Sequence, residues 1–283
     1  MLSTSDVAQI RARQRSHWNA VAPGWAAWLA WTERNFAPLT AWLAGSAGWR
    51  PGARVLDVAC GPGYPAFAAA AHVLPGGTVV AIDSSSEMIA EAARQSHARG
   101  FGHVDLHVMD AEALELDDVS FDAVSNAYGL MFCPEPGRAL AEAYRVLRAG
   151  GRLAVVTWAE PSASPFFEVL TSVAAGYLSL QPPPADAPGP FRFASPDELI
   201  PMVTSSGFHD VRVSRLSMTF DCGTVEDYCQ LFSDVAWKSR MAALSDSSRA
   251  RLHADVARAV EPHVVDGRIR LATTSLCTTA MRT

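Results

Sequence analysis

Three aspartates, Asp57, Asp83 and Asp110, each close a short apolar run, in VLD, VVAID and LHVMD. The first is followed by the turn Ala59-Cys60-Gly61-Pro62-Gly63, which opens an alanine-rich stretch. Gly61, Gly63 and Ala66 make the G-x-G-x-x-A variant of the dinucleotide fingerprint, whose free amides and helix N-terminus suit a pyrophosphate. This turn suits a pyrophosphate poorly. Pro62 and Pro65 each remove an N–H donor, and the Asp57 carboxylate would repel a phosphate.

The same carboxylate would attract an ammonium group. S-adenosylmethionine has an ammonium and a sulfonium and no phosphate. Asp83 falls 20 residues after Gly63, where a carboxylate accepts both ribose hydroxyls. Asp110 can accept from an adenine amino group while the Ala111 N–H reaches a ring nitrogen. The competing reading of the glycine turn is an NAD(P)-dependent oxidoreductase, resting on the fingerprint and Asp83. The two prolines, Asp57 and Asp110-Ala111 count against it.

Methyl transfer from a sulfonium is an in-line displacement with a good leaving group, so positioning and exclusion of water are the main tasks. Aromatic faces favour a sulfonium, which makes Trp25, Trp28 and Tyr128 candidates to line the site. An oxygen acceptor needs a base, and His17 and Glu168 are the nearest candidates, with His209, His253 and His263 further off. Tyr128, His17 and Glu168 are thus the expected catalytic set. Phe191, Phe193, Phe232 and Trp237 add to an aromatic supply that favours an apolar or aromatic small-molecule acceptor.

These residues need a scaffold. Arg54–Val58, Thr78–Ile82, 104–109, Phe121–Asn126 and Arg152–Trp158 read as strands, alternating with helices such as Ser86–Arg99 and 136–148, the latter closed by Gly150-Gly151. Strands apolar on both faces, alternating with helices, predict an α/β fold with a parallel, doubly wound sheet. Six of the eight tryptophans lie in the first 50 residues, which read as a helical cap. The proline-rich segment 181–190 reads as a loop or lid. A helix follows Ser195, then strands over 211–220 and 269–281. The expected division is a cap over 1–50, a cofactor-binding core over 51–160, an acceptor-side insertion over 161–210, and the remainder of the sheet with intervening helices over 211–283.

With 283 residues the chain can bury a large core, and a net charge of −6 offers nucleic acid no attraction. Arg11, Arg13 and Arg15 read as a solvated helix face. No long apolar run suggests a membrane span, and the N-terminus lacks a signal-peptide core. Five scattered cysteines without a C-x-x-C pair suit a reducing, cytoplasmic setting and predict no metal.

The chain resembles the class I S-adenosylmethionine-dependent methyltransferases, and among them the ubiquinone/menaquinone C-methyltransferase-like group. The matching segments are HWNAVAPGWAAW, VLDVACGPG, VVAIDSSSEMI, MDAEAL, FDAVSNAYGLMFCPEP and RVLRAGGRLAVVTW. The resemblance is good over residues 14–160, looser over 191–213 and weak beyond. It implies a Rossmann-like seven-stranded sheet with the last strand antiparallel. It further implies that S-adenosylmethionine, leaving as S-adenosylhomocysteine, is held by Trp25, Asp57, Ala59, Cys60, Gly61, Gly63, Asp83, Ser84, Met88, Asp110, Ala111 and Asn126. Ala59 stands where the family loop has its first glycine, and Tyr64 where relatives often have a polar residue. Asn126-Ala127-Tyr128-Gly129 lacks the prolines of the amino-methylating enzymes of nucleic acid. The implied activity is methylation of carbon, oxygen or nitrogen on a hydrophobic small molecule: a quinone precursor, polyketide, isoprenoid or similar intermediate. No nucleic acid and no transmembrane segment enter this reading, and a homodimer is compatible with it. A protein that binds the cofactor without transferring its methyl would carry the same motifs.

Overall fold

The computed structural model describes residues 4–178 and 187–283. Residues 181–186 of the expected lid lie outside the described residues. Five parallel strands form first: β1 (Arg54–Val58), β2 (Thr78–Asp83), β3 (Val104–Val108), β4 (Phe121–Ala127) and β5 (Leu147–Trp158). β6 (His209–Gly223), the two-residue β7 (Val264–Val265) and β8 (Arg268–Met281) complete the sheet. Its order is β3-β2-β1-β4-β5-β8-β6, with β7 hairpinned onto β8. β8 runs antiparallel to both β5 and β6. The long seven-strand path with an antiparallel last strand agrees with the expected architecture, and β7 is an eighth, short addition.

The helices are α1 (Thr4–Ala27), α2 (Leu29–Asn35), α3 (Ala37–Ser46), α4 (Ala66–Val73), α5 (Ser86–Arg99), α6 (Pro136–Val146), α7 (Pro165–Ala174), α8 (Pro196–Ser205), α9 (Val225–Phe232), α10 (Lys238–Ala242) and α11 (Asp246–Val260). Local chemistry sets several boundaries. The Ser85 side chain accepts from the Met88 N–H to start α5, and Gly100 ends it at φ +72°. Thr224 and Asp227 form a reciprocal capping box at α9. Alanines 66, 69 and 70 of α4 are fully buried, so this helix lies close against the strands. Val55, Leu56, Val79, Ala81, Val124 and Val156 are buried in the sheet, as strands covered on both faces require.

One boundary differs from expectation. Gly150-Gly151 do not close α6, which ends at Val146; both glycines lie within β5. Gly150 adopts φ +74°, and the β4–β5 register jumps between the Phe121 and Ala123 pairs. The extra residues make a bulge that the Gly150 N–H anchors to Arg282 O at 2.8 Å.

Candidate active site

The carboxyl ends of the parallel strands open into a cavity of about 440 Å³. That is the edge on which open α/β sheets bind ligands, and the size suits a small molecule. Ala59 and Gly61 follow β1, Asp83 and Ser84 end β2, Asp110 and Ala111 follow β3, Tyr128 follows β4 and Trp158 ends β5; all line the cavity. One face of α1 roofs it with Arg11, Gln14, His17, Trp18 and Trp25. The far wall is Phe166, Phe167 and Thr171 of α7, Phe220 of β6, Phe232 of α9 and Trp237.

The turn after β1 is built as a cradle. The Gly61 N–H donates to Asp83 Oδ2 at 3.0 Å and the Ser85 N–H to Oδ1 at 2.9 Å. Burial pushes the Asp83 pKa up, while these amide bonds hold it back. Gly63, at φ +120°, leaves no room for a side chain: a Cβ there would come within 1.9 Å of the Phe67 ring. Ala59 adopts φ +61°, strained for a residue with a Cβ, and a Cβ on Gly129 would come within 2.4 Å of the Ala59 methyl. Gly129 therefore makes the space that Ala59 occupies in place of the expected glycine.

Several sequence candidates stand behind the wall. Asp57 is fully buried and does not line the cavity, because β1 continues to Val58 and places it one residue inside the sheet. The Ser125 hydroxyl donates to its Oδ1 at 2.7 Å, and Oδ2 has no partner. Burial raises its pKa to about 7, against the bond from Ser125 and with repulsion from Asp83. Cys60 and Gly63 are buried beneath the cradle, and Asn126 spends its Oδ1 on the Gly129 and Leu130 N–H groups. Glu168 is exposed on α7 and does not reach the cavity, its neighbours Phe166 and Phe167 facing it instead. Trp28 also stays out, its indole N–H donating to Asp234 Oδ2 at 2.9 Å. Phe193 is core, whereas Phe191, Phe232 and Trp237 line the cavity. His209, His253 and His263 lie elsewhere.

The cavity does receive His17, Tyr128, Trp25, Ala59, Gly61, Asp83, Ser84, Met88, Asp110 and Ala111. His17 lies at the rim, where partial burial and the Arg240 cation lower its pKa, so its ring is neutral at pH 7. Burial pushes the Tyr128 phenol well above its ordinary pKa, so it cannot act as a base.

Arg11 corrects the expectation of a solvated arginine face. It pairs with Asp110 at 2.7 Å, with the buried Glu112, and with Glu135 at 3.7 Å. This ties α1 across the end of the cavity that holds Asp110. Sequence spacing carried no sign of it, since the partners lie about a hundred residues away. Trp31, Phe36, Trp158 and Phe220 were likewise unmarked, and each is an aromatic whose role depends on tertiary placement.

Residues 56–155 match the family model described as a methyltransferase domain. Over 245 residues the chain is 30% identical to the uncharacterized protein Rv1403c of Mycobacterium tuberculosis, covering 85% of this chain and 86% of that one. Over 103 residues it is 42% identical to the aklanonic acid methyltransferase DauC of a Streptomyces species, covering 36% of this chain and 47% of that one. Among solved structures, the YcgJ protein of Bacillus subtilis superposes with a TM-score of 0.59 at 17% identity, covering 87% of this chain and 98% of that one. At that identity the likeness is one of fold.

Proposed function

The chain belongs to the S-adenosylmethionine-dependent methyltransferases, and from that premise we infer that its acceptor is a neutral, planar, apolar small molecule such as an oxygenated polyketide or quinone. One observation carries this reading. The charged residues of the cavity lining are Arg11, Asp83, Asp110 and Glu112, with neutral His17 at the rim, and the remaining wall is dominated by aromatic and aliphatic side chains. A carboxylate or phosphate on the acceptor would lose its water there without gaining a partner. The partial similarity to an enzyme named for aklanonic acid supports a small-molecule acceptor.

In this reading Asp83 holds the ribose and Asp110 with the Ala111 N–H holds the adenine, while the Gly61 turn receives the methionine tail. Asp57 supports the turn from beneath and does not touch the cofactor directly. When bound, S-adenosylmethionine supplies an electrophilic methyl on a sulfonium. The chain's residues then position and exclude water: Trp25, Tyr128 and Trp158 offer aromatic faces, and α1 closes above them. Neutral His17 is able to take a proton from an acidic hydroxyl of the acceptor. A second reading, cofactor binding without transfer, draws on the exposure of Glu168, which leaves no carboxylate base among the expected catalytic residues in the cavity.

Titration calorimetry with S-adenosylhomocysteine and with NAD tests the cofactor. Binding of the former alone is expected, and Asp83→Ala is expected to weaken it at least tenfold, about 1.4 kcal/mol or more. Unchanged affinity in that variant refutes the ribose assignment. Incubation with S-adenosylmethionine and hydroxylated quinones, read by mass spectrometry for one added methyl, separates transfer from binding alone.

A further inference from the structure

The floor of the acceptor side is a stacked pair. Tyr128 and Trp158 lie with ring centroids 4.1 Å apart and planes 21° from parallel. Tyr128 takes up this position at a cost, since its φ of +63° belongs to the left-handed region that side chains avoid. Three contacts hold it there. Its N–H donates to Val156 O at 2.8 Å, continuing the β4–β5 ladder past the strand end. Phe36 packs edge-on against its ring at 5.5 Å. Its hydroxyl shares a hydrogen bond of 2.7 Å with the Ser275 hydroxyl.

Ser275 is placed to hold both rings. It lies on β8 directly opposite Trp158 in the antiparallel ladder, and it is fully buried. One serine thus adjoins the backbone of one ring and the hydroxyl of the other. Ser275 belongs to the run Thr273-Thr274-Ser275, polar residues buried at a position where a central strand ordinarily carries apolar ones. Most buried hydroxyls are bonded, and the partner of the Ser275 hydroxyl is the hydroxyl of the ring that faces the cavity.

We propose that Ser275 is a positioning residue for the methyl acceptor: through the Tyr128 hydroxyl it sets the tilt of the Tyr128–Trp158 floor against which a planar acceptor lies. The inference rests on the aromatic-acceptor reading above. Ser275 itself does not line the cavity, and it acts only through Tyr128.

The test is a double-mutant cycle read with alizarin, a planar dihydroxyanthraquinone, titrated by tryptophan quenching into the S-adenosylhomocysteine complex. Ser275→Ala and Tyr128→Phe each remove one side of the bond and keep both rings. Each is expected to weaken alizarin binding about fivefold. The double variant is expected to lose no more than either single one, within about twofold. Ser275→Thr, which keeps the hydroxyl, is expected to bind as the parent does. S-adenosylhomocysteine affinity by calorimetry is expected to be unchanged in Ser275→Ala and Ser275→Thr, which a general loss of structure would not allow. Additive losses, or alizarin affinity untouched in Ser275→Ala, overturn the inference while leaving the acceptor reading in place. Failure of the parent complex to bind alizarin, with S-adenosylhomocysteine bound, overturns both.

Discussion

At the scale of single residues, Asp57 ties stability to pH. A carboxyl group with one bonded oxygen and one unpartnered oxygen is held away from water, and its pKa rises to about 7. The sign of the linkage follows from the direction. The folded state keeps the proton that the unfolded chain loses above its ordinary carboxylate range, so stability falls as pH rises through that window and levels off above pH 7. Asp57→Asn is therefore expected to be more stable than the parent at pH 8 by about 2–4 kcal/mol. The difference is expected to shrink towards zero near pH 4. Melting curves across that range check it; a constant offset would mean that ionisation is not the cause. Tyr128 and Ala59 show a different residue-scale cost, two left-handed backbones side by side at the cavity wall. Such strain persists only where surrounding contacts hold it, here the Val156 carbonyl and the gap left by Gly129.

At the scale of elements, the cavity depends on how α1 and α2 meet the end of β6 and the segment between β6 and β8. Indole N–H groups donate from Trp25 to Val235 O at 3.1 Å, from Trp28 to Asp234 Oδ2 at 2.9 Å, and from Trp31 to Asp221 O at 2.7 Å. Between α9 and α10 the chain runs as a π-turn, Ser233–Trp237, against which α1 packs. The wide turn turns Val235, Ala236 and Trp237 into cavity lining. Contact with α1 is close at Gly24, where a Cβ would stand 2.3 Å from the Asp234 carbonyl oxygen. Backbone must move to admit a side chain there. Gly24→Ala is expected to destabilise the protein by about 1–3 kcal/mol and to weaken alizarin binding more than S-adenosylhomocysteine binding. A melting temperature equal to the parent's would refute the close packing. Arg11 acts at the other end of α1, joining it to Asp110 and the buried Glu112.

At the scale of the whole molecule, the ligand site joins parts of the chain that are far apart in sequence, from α1 to the segment before α10. A ligand that binds only this assembled state stabilises all of it. S-adenosylhomocysteine at about a hundred times its dissociation constant is expected to add about 2.7 kcal/mol and to raise the melting temperature by roughly 4–5 °C, with no shift from NAD. A shift of equal size from both would return the glycine turn to the dinucleotide reading. No described helix is long and apolar enough to cross a membrane.

Much of the core was legible before any coordinates. β1 and α5 have the bounds that their residue patterns predict, because an all-apolar strand and a serine-capped, glycine-ended helix are local signals. The positions of Asp83 and Asp110 at consecutive strand ends followed from the same local logic. Periodicity says which residues form an element and which face is apolar; it says nothing about what that face meets. For that reason Asp57 read as a ligand contact and is buried, Glu168 read as a candidate base and is exposed, and Arg11 read as solvated and is an ionic tie. The aromatic side of the cavity depended most on tertiary structure. Its aromatics come from α1, α2, the turn after β4, β5, α7, β6 and α9, and aromatic residues pack alike in a core or around a ligand until the sheet and the cap are assembled. The sequence by itself determined the α/β core and the row of acidic strand ends, since both rest on neighbours in the chain. Only the tertiary structure decided the aromatic chamber, since every wall of it is a contact between distant segments.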